Sequence, residues 1–222
     1  MVTSRVLSAP PLIRREDQIT VALDLDNTLV DFTDGFRRAL ATKFGLSRRE
    51  SLERFPEPTN YSFHKGEVPW FSDLNEFLDN FKEAEEQGLY RNLVAYTGGV
   101  QVIKKALKDK RINLEVVTAR GEQHKEDSLS NLRSLGLPFT ANDIYHVSDK
   151  ADRLAHIFID DKDGFAEEIQ SGSFVMPDGI TKRIIVPERG YNRHVATASN
   201  WHEINSQLNK AVDEMWTIKQ AS

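Results

Sequence analysis

The sequence predicts an α/β fold in which a mostly parallel sheet is flanked by helices and a small, mostly helical segment is inserted after the first strand. Three observations support this prediction. An apolar, β-branched run of strand length, ITVAL at 19–23, is followed abruptly by acidic residues. The segment 33–95 is interrupted by three prolines and has no convincing buried strand pattern. From Thr97 onward, strand-like and helix-like patterns alternate, which is typical of a parallel sheet covered on both faces.

The inserted segment is expected to begin with an amphipathic helix over 33–44. Phe36, Leu40 and Phe44 recur every four residues and would form one apolar face, and Gly45 is a typical stop signal after the last turn. Further short helices are expected over 47–55 and 71–81. We interpret 33–95 as a small helical cap that sits above the first strand.

The α/β core is expected to comprise 17–32 and 96–222, with 1–16 as a loose lead-in. After the first strand, further strands are predicted at 112–117, 144–147, 156–159 and 183–186. The intervening helices are predicted at 98–108, 123–135, 163–170 and from 200 to about 218. The last helix has a start signal that resembles a capping box, formed by Asn200 and Glu203.

Composition excludes several classes of function. The chain has 222 residues, a formal net charge of −5 and a pI near 5.7, so no global positive field favours long nucleic acid. It contains no cysteine, which removes disulfides, thiolate metal sites and a cysteine nucleophile. No apolar run has the length of a signal peptide or a membrane span, so we expect a soluble, cytoplasmic protein without a membrane partner. The partner expected instead is a small anionic substrate.

Two acidic residues at the end of the first strand are the strongest indication of chemistry. Asp24 and Asp26 lie two residues apart, so their side chains can converge on one point. Like charges at that distance repel each other unless a cation or a shared proton compensates. A polar loop after a core strand is the simpler interpretation, but ligands of parallel α/β sheets bind at this end of the strands. A calcium loop of the helix–loop–helix type is disfavoured, because the expected Gly and closing Glu are missing.

Four predicted strands end in polar residues that could share one crevice, because the carboxyl ends of parallel strands lie along one edge of the sheet. Carboxylates could bind Mg²⁺, a hydroxyl and an ammonium could hold a tetrahedral anion, and one carboxylate could attack phosphorus. Phosphoryl transfer needs little beyond positioning and charge neutralisation. The four groups are Asp24 with Asp26, Thr118 with Arg120, Lys150, and Asp160 with Asp161.

These motifs resemble the haloacid dehalogenase (HAD) superfamily of phosphotransferases. The similarity lies in DLDNT at 24–28, Thr118 after two valines, Lys150, and FIDD ending at Asp161. It implies a Rossmann-like core in which Asp24 forms an aspartyl-phosphate. Asp26 would protonate the leaving alcohol and then activate water, which favours a phosphatase over a dehalogenase.

The same resemblance implies where phosphate and metal would bind. Thr118 and Lys150 would hold the phosphoryl oxygens. Arg120 would either bind the substrate phosphate or pair with Glu122 at the surface. Mg²⁺ would bind the Asp24 carboxylate, the Asp26 carbonyl and one carboxylate of the pair Asp160 and Asp161.

A closer resemblance, to the 5'(3')-deoxyribonucleotidase family, covers more of the chain. It rests on VDF at 30–32, IDDKD at 159–163, NRH at 192–194 and SNWHEI at 199–204. It implies a nucleoside monophosphate as substrate, with Phe32 stacking on the base beneath the cap. The chain departs from that family at Asn27-Thr28, where Gly-Val is usual, and at Ala119-Arg120, where a Ser-Pro-like pair is usual.

Other aromatic residues of the insert could add to a base-stacking pocket, although each taken singly suits the core of the cap better. They are Tyr61, Phe63, Trp70, Phe71 and Tyr90. Two alternatives stay open at this point: a phosphatase of another small ester, such as a sugar phosphate or a nucleic-acid end, and a non-catalytic binding protein. The cap and the C-terminal helix are candidate surfaces for a homodimer.

Overall fold

The computed structural model describes residues 17–172 and 174–221. They form a five-stranded parallel sheet with the order β3-β2-β1-β4-β5, so the α/β fold predicted from the sequence is confirmed. The strands are β1 Ile19–Leu23, β2 Ile112–Thr118, β3 Ile144–His146, β4 Ile157–Ile159 and β5 Arg183–Ile185. The lead-in predicted for 1–16 lies outside the described residues.

β1 occupies the centre of the sheet because its side chains are apolar on both faces. Ile19, Val21 and Leu23 are fully buried on one face, and Ala22 packs into a second apolar cluster on the other. β1 pairs with β2 on one side and with β4 on the other. This central position brings the end of β1 between the ends of its two neighbours.

The helices cover both faces of the sheet. The C-terminal helix α7 (Trp201–Ala221) packs against α4 (Gly99–Ala106) and β1, whereas α6 (Asp163–Gln170) packs against β5. The strands begin and end within one residue of the predicted limits. The helices after β1 are α1 Phe32–Phe44, α2 Arg48–Arg54, α3 Leu74–Glu86, α4 Gly99–Ala106, α5 Lys125–Ser134, α6 Asp163–Gln170 and α7 Trp201–Ala221. Among the described residues, no helix has both the length and the apolar character needed to cross a bilayer.

Residues 33–95 contribute no strand to the sheet and contain most of α1, together with α2 and α3. Helix α3 begins at Leu74 rather than at the predicted residue 71, because the Asp73 side chain accepts a hydrogen bond from the amide of Glu76 and so defines the cap. Aromatic side chains fill the space between the helices, with Phe36 and Phe55 almost completely buried. The division into a core and a cap stays a prediction.

The two chain connections between this segment and the sheet run side by side. Val30 and Ala95 form an antiparallel bridge. The amide of Asp31 donates a 2.8 Å hydrogen bond to the carbonyl of Val94. The Asp31 side chain also caps α1 by accepting a hydrogen bond from the amide of Asp34. Helix α1 therefore starts at a fixed place, eight residues after Asp24.

Candidate active site

Three buried carboxylates meet at the carboxyl ends of the two central strands. Asp24 follows β1, and Asp160 and Asp161 follow β4. One oxygen from each lies within 4.8 Å of one oxygen of the other two. The acidic residues predicted to converge from separate parts of the chain are thus brought together.

Lys150 provides positive charge inside this cluster. Its Nζ lies 2.8 Å from Asp24 Oδ1 and 2.6 Å from Asp160 Oδ2. Burial lowers the pKa of the Lys150 ammonium, but the carboxylates of Asp160 and Asp24 outweigh this effect, and the pKa is raised. Lys150 is therefore a buried cation held against two acids.

One ammonium does not neutralise the cluster. Burial raises the pKa of Asp24 well above its usual range, and the charges of Asp160 and Asp161 raise it further against the opposing effect of Lys150. Burial and the charge of Asp160 likewise raise the pKa of Asp161. Oxygen ligands with excess negative charge are what a divalent cation such as Mg²⁺ prefers, so the donor set fits the predicted metal.

Both oxygens of Asp161 are already oriented by hydrogen bonds. Thr28 Oγ1 donates to Asp161 Oδ1 at 2.7 Å, and the Tyr191 hydroxyl donates to Oδ2. The side chain of Asn192 donates to the Asp161 carbonyl at 2.7 Å. The sequence motifs contain Thr28 and Asn192 but indicate no role for either, and no motif contains Tyr191.

Arg120 forms a two-bonded ion pair with Asp26. Its Nε lies 2.8 Å from Asp26 Oδ2 and its Nη2 lies 2.6 Å from Oδ1. A third bond joins Nη1 to Ser128 Oγ at 3.0 Å, and the guanidinium stacks 4.3 Å from the centre of the Tyr90 ring. Arg120 is buried, and its partner is Asp26 rather than the surface acid Glu122. Its role as a phosphate ligand stays a prediction.

Thr118 ends β2 and lies beside the cluster, where its hydroxyl accepts a 3.3 Å hydrogen bond from the amide of Arg120. Together with Asp24, Asp26, Lys150 and Asp161 it lines one cavity of about 300 Å³. All the sequence-predicted groups for nucleophilic attack, proton transfer and phosphate binding therefore reach a common space. The metal role of the Asp26 carbonyl stays a prediction.

The rest of this cavity is lined by side chains of the inserted segment. Four of the predicted aromatic residues line it, whereas Trp70 and Phe71 lie in the aromatic core of the insert. Two rings that the sequence interpretation had not assigned to the pocket, Phe77 and Phe81, also line it. The four aromatic residues that were predicted from the sequence and that line the cavity are Phe32, Tyr61, Phe63 and Tyr90.

One acid of the insert also lines the cavity. An acidic run such as 83–86 is typical of a solvated helix face, but Glu85 turns toward the cavity and its side chain is 20% exposed. Glu85 Oε1 accepts a 3.1 Å hydrogen bond from the Tyr90 hydroxyl. The spacing of Phe77, Phe81 and Glu85, each four residues apart, is the signal that could have placed Glu85 here.

The loop after Asp26 is held in an unusual backbone conformation. Asn27 has a φ of 55°, and among the described residues it is the one non-glycine position with a positive φ. Its side-chain oxygen accepts hydrogen bonds from the amide and hydroxyl of Thr33, at 2.9 and 3.0 Å. Arg189 Nε donates to the Asn27 carbonyl at 2.5 Å. His194, in contrast, lies at the surface, 3.3 Å from Glu167.

Comparison with known proteins shows similarity at the level of structure. No protein-family model and no curated protein matches the chain. A haloacid dehalogenase-like hydrolase from Streptococcus pneumoniae superposes with a TM-score of 0.54 at 12% identity, over 86% of this chain and 99% of its own. A protein from Bacillus subtilis, described as a HAD-type hydrolase and bound to magnesium, superposes with a TM-score of 0.51 at 15% identity. The match covers 87% of this chain and 100% of the other.

A third structure, a HAD-family hydrolase from Deinococcus radiodurans with bound phosphate and sodium, gives a TM-score of 0.50 at 16% identity, over 88% of this chain and 96% of its own. The fold of this chain is therefore the Rossmann-like α/β fold of these hydrolases. At such identities the similarity concerns the fold, and the chemistry has to be argued from the residues of the site.

Proposed function

We propose that this protein is a Mg²⁺-dependent phosphatase in which Asp24 is the nucleophile. The observation that carries the proposal is the position of Asp24, buried at the end of the central strand with Lys150 at 2.8 Å and two further carboxylates close by. A buried carboxylate with a cation beside it is suited to attack an anionic phosphoryl group, because the cation offsets the repulsion between the two negative charges.

The proposed reaction has two displacements. In the first, an oxygen of Asp24 forms a bond to phosphorus while the ester P–O bond breaks, and Asp26 gives its proton to the leaving alcohol. In the second, Asp26 takes a proton from water, whose oxygen attacks the aspartyl-phosphate and releases inorganic phosphate and the free carboxylate. Thr118 and Lys150 hold the phosphoryl oxygens during both steps.

Asp24, the Asp26 carbonyl and one carboxylate of Asp160 or Asp161 would hold Mg²⁺, which neutralises phosphoryl charge when bound. The carboxylates of Asp24, Asp160 and Asp161 and the single ammonium of Lys150 leave the cluster a formal charge of about −2 before metal and substrate bind, which supports a divalent ion.

The proposed substrate is a nucleoside monophosphate, in keeping with the resemblance to 5'(3')-deoxyribonucleotidases. Aromatic side chains adjoin the phosphate end of the cavity, and aromatic faces suit nucleobases. Phe32 lies between the catalytic loop and these rings. The centre of its ring is 6.0 Å from the centre of the Phe63 ring and 6.2 Å from that of the Tyr90 ring. Residues 33–95 would then act as the cap that encloses the base.

The test measures phosphate release with Mg²⁺ from a panel of ribo- and deoxyribonucleoside monophosphates, sugar phosphates and p-nitrophenyl phosphate. The Asp24→Asn variant should lose at least about 1,000-fold in kcat while keeping its circular dichroism spectrum. Asp79→Asn, an exposed acid on α3, is the matched control and should retain full activity. Near-normal turnover by Asp24→Asn would contradict the mechanism, and a preference for sugar phosphates would contradict the substrate.

A further inference from the structure

We infer that Glu85 selects for nucleobases that carry an amino group, so that guanine, cytosine and adenine nucleotides are preferred over those of thymine and uracil. This inference rests on the proposed function, because it assumes that a nucleoside monophosphate occupies the cavity. It concerns a residue with no part in the phosphoryl transfer itself.

Glu85 lies in the last turn of α3, on the face of the helix that lines the cavity. Phe77 and Phe81 precede it at four-residue intervals, so the three side chains form one stripe along the helix. The first two are aromatic and suit the face of a base. The third is an acid at the end of the same stripe, where the edge of a stacked base would lie.

The carboxylate of Glu85 is held in place but is not neutralised by Lys or Arg. Tyr90 donates a 3.1 Å hydrogen bond to Oε1, and His124 Nε2 lies 3.1 Å from the same oxygen without the alignment of a hydrogen bond. Within the described part of the chain, Glu85 forms no ion pair with a lysine or an arginine. Its neighbour Glu83, in contrast, pairs with Lys43 at the surface.

An ionised carboxylate accepts hydrogen bonds and cannot donate them. The amino groups of cytosine and adenine offer a donor, and a Glu or Asp side chain reads cytosine through that amino group. Guanine offers its ring N–H and amino group side by side, which matches both oxygens of a carboxylate. The N3–H of thymine or uracil is flanked by two carbonyl oxygens, which a carboxylate repels. Glu85 is therefore a better partner for the amino-bearing bases.

The test compares kcat/KM for dGMP, dCMP and dAMP with that for dTMP in the wild type and in Glu85→Gln. Glutamine keeps the size and the acceptor for Tyr90, removes the charge and adds a donor. The wild type should prefer each of the three amino-bearing bases over thymine by roughly 5-fold to 100-fold, and Glu85→Gln should lose most of this preference. Glu86→Gln, an exposed acid on the same helix, is the matched control and should keep it.

Two further measurements separate this inference from the proposed function. Turnover of p-nitrophenyl phosphate, which carries no base, reports on phosphoryl transfer alone, so the rates of Glu85→Gln with nucleotides are expressed relative to it, and the control Glu86→Gln should leave it unchanged. Free deoxyguanosine should inhibit this turnover more strongly than thymidine in the wild type but not in Glu85→Gln. Together, these results would support a role in recognition of the base.

Turnover of p-nitrophenyl phosphate without turnover of any nucleotide would overturn the proposed substrate and this inference together. Turnover of nucleotides with a base preference that Glu85→Gln does not alter would overturn only the inference.

Discussion

Arg120 holds both carboxylate oxygens of Asp26, with contacts of 2.8 and 2.6 Å, while its guanidinium rests on the ring of Tyr90. Asp26 is the proposed proton carrier, and its side chain is 25% exposed on the cavity side. A fork of two bonds fixes both the position and the plane of a carboxylate. Arg120 is therefore suited to position Asp26, in addition to any contact it makes with substrate.

The Arg120→Lys variant tests this relationship. Lysine keeps the charge but cannot hold the carboxylate with a planar fork, so Asp26 should be misplaced for proton transfer. We expect kcat to fall by about 10-fold to 100-fold while KM changes by less than about threefold, as measured by steady-state kinetics. A rise in KM with unchanged kcat would instead identify Arg120 as a ligand of the substrate phosphate.

Arg183→Lys is the matched control for Arg120→Lys. Arg183 pairs with Glu214 at the surface, so the same substitution there should leave both kinetic constants unchanged.

The acidic cluster predicts that Mg²⁺ stabilises the folded protein, because the carboxylates converge only in the native state. At a Mg²⁺ concentration about 100 times Kd, the free energy of unfolding should rise by about 2.7 kcal/mol, and a chelator should reverse this gain and abolish activity. Urea unfolding at increasing Mg²⁺ measures it. Asp161→Asn should weaken the response and Asp79→Asn should not; equal responses in all three proteins would show that Asp161 is not a ligand of the ion.

Two glycines should respond to alanine in opposite directions. A Cβ on Gly190 would lie 2.6 Å from the carbonyl oxygen of Pro58, so the loop after β5 and the inserted segment would be forced apart. Gly190→Ala should lower the free energy of unfolding by about 1–3 kcal/mol. Gly164, in α6, has no atom within 4 Å of its added Cβ apart from its chain neighbours and the backbone of its own helix, so Gly164→Ala should raise the free energy of unfolding by about 0.4–1 kcal/mol. This account would be contradicted if urea denaturation showed that both substitutions change the free energy of unfolding in the same direction.

His156 should make stability depend on pH. Burial and the nearby Lys219 lower the pKa of His156 below its usual value, against the opposing effect of Asp178. Its Nδ1 also accepts a 3.0 Å hydrogen bond from the amide of Thr20, which requires an unprotonated nitrogen. Because the pKa is lower in the folded state, the stabilisation is complete above about pH 6.5 and is lost as the pH falls below it.

Urea unfolding between pH 8 and pH 5 measures this effect. His156→Gln should lose part of the decline in stability that the wild type shows on acidification, and His202→Gln, an exposed control, should retain it. An unchanged decline in His156→Gln would assign the pH dependence to other groups.

The sequence predicted the sheet well because the strands are short, buried runs with clear ends. The carboxyl ends of parallel strands meet at one edge, so Asp24, Thr118, Lys150 and Asp160 could be assigned to one site without any knowledge of the loops between them. The site residues that end strands, or follow them within a few residues as Lys150 does, were therefore the ones the sequence could bring together.

Residues on loops and on the insert were harder to place, because periodicity does not determine where a loop side chain points. The contact of Tyr191 with Asp161 depends on the path of the chain after β5, and the pairing of Arg120 with Asp26 on a turn after β2. Glu85 was obscured by the acids on either side of it. A run of charged residues in the sequence places side chains all around a helix, whereas only one face of that helix lines the cavity.

The side-by-side chain connections between the insert and the sheet have a consequence for how this architecture can vary. Val30 and Ala95 are bridge partners, so more than sixty residues leave the core and return to it at nearly the same point. Their removal, enlargement or exchange would require only a short turn between adjacent backbone positions, and β1 with Asp24 would stay in register. The insert, and with it the proposed substrate specificity, could thus be exchanged between proteins of this fold without altering the catalytic groups of the sheet.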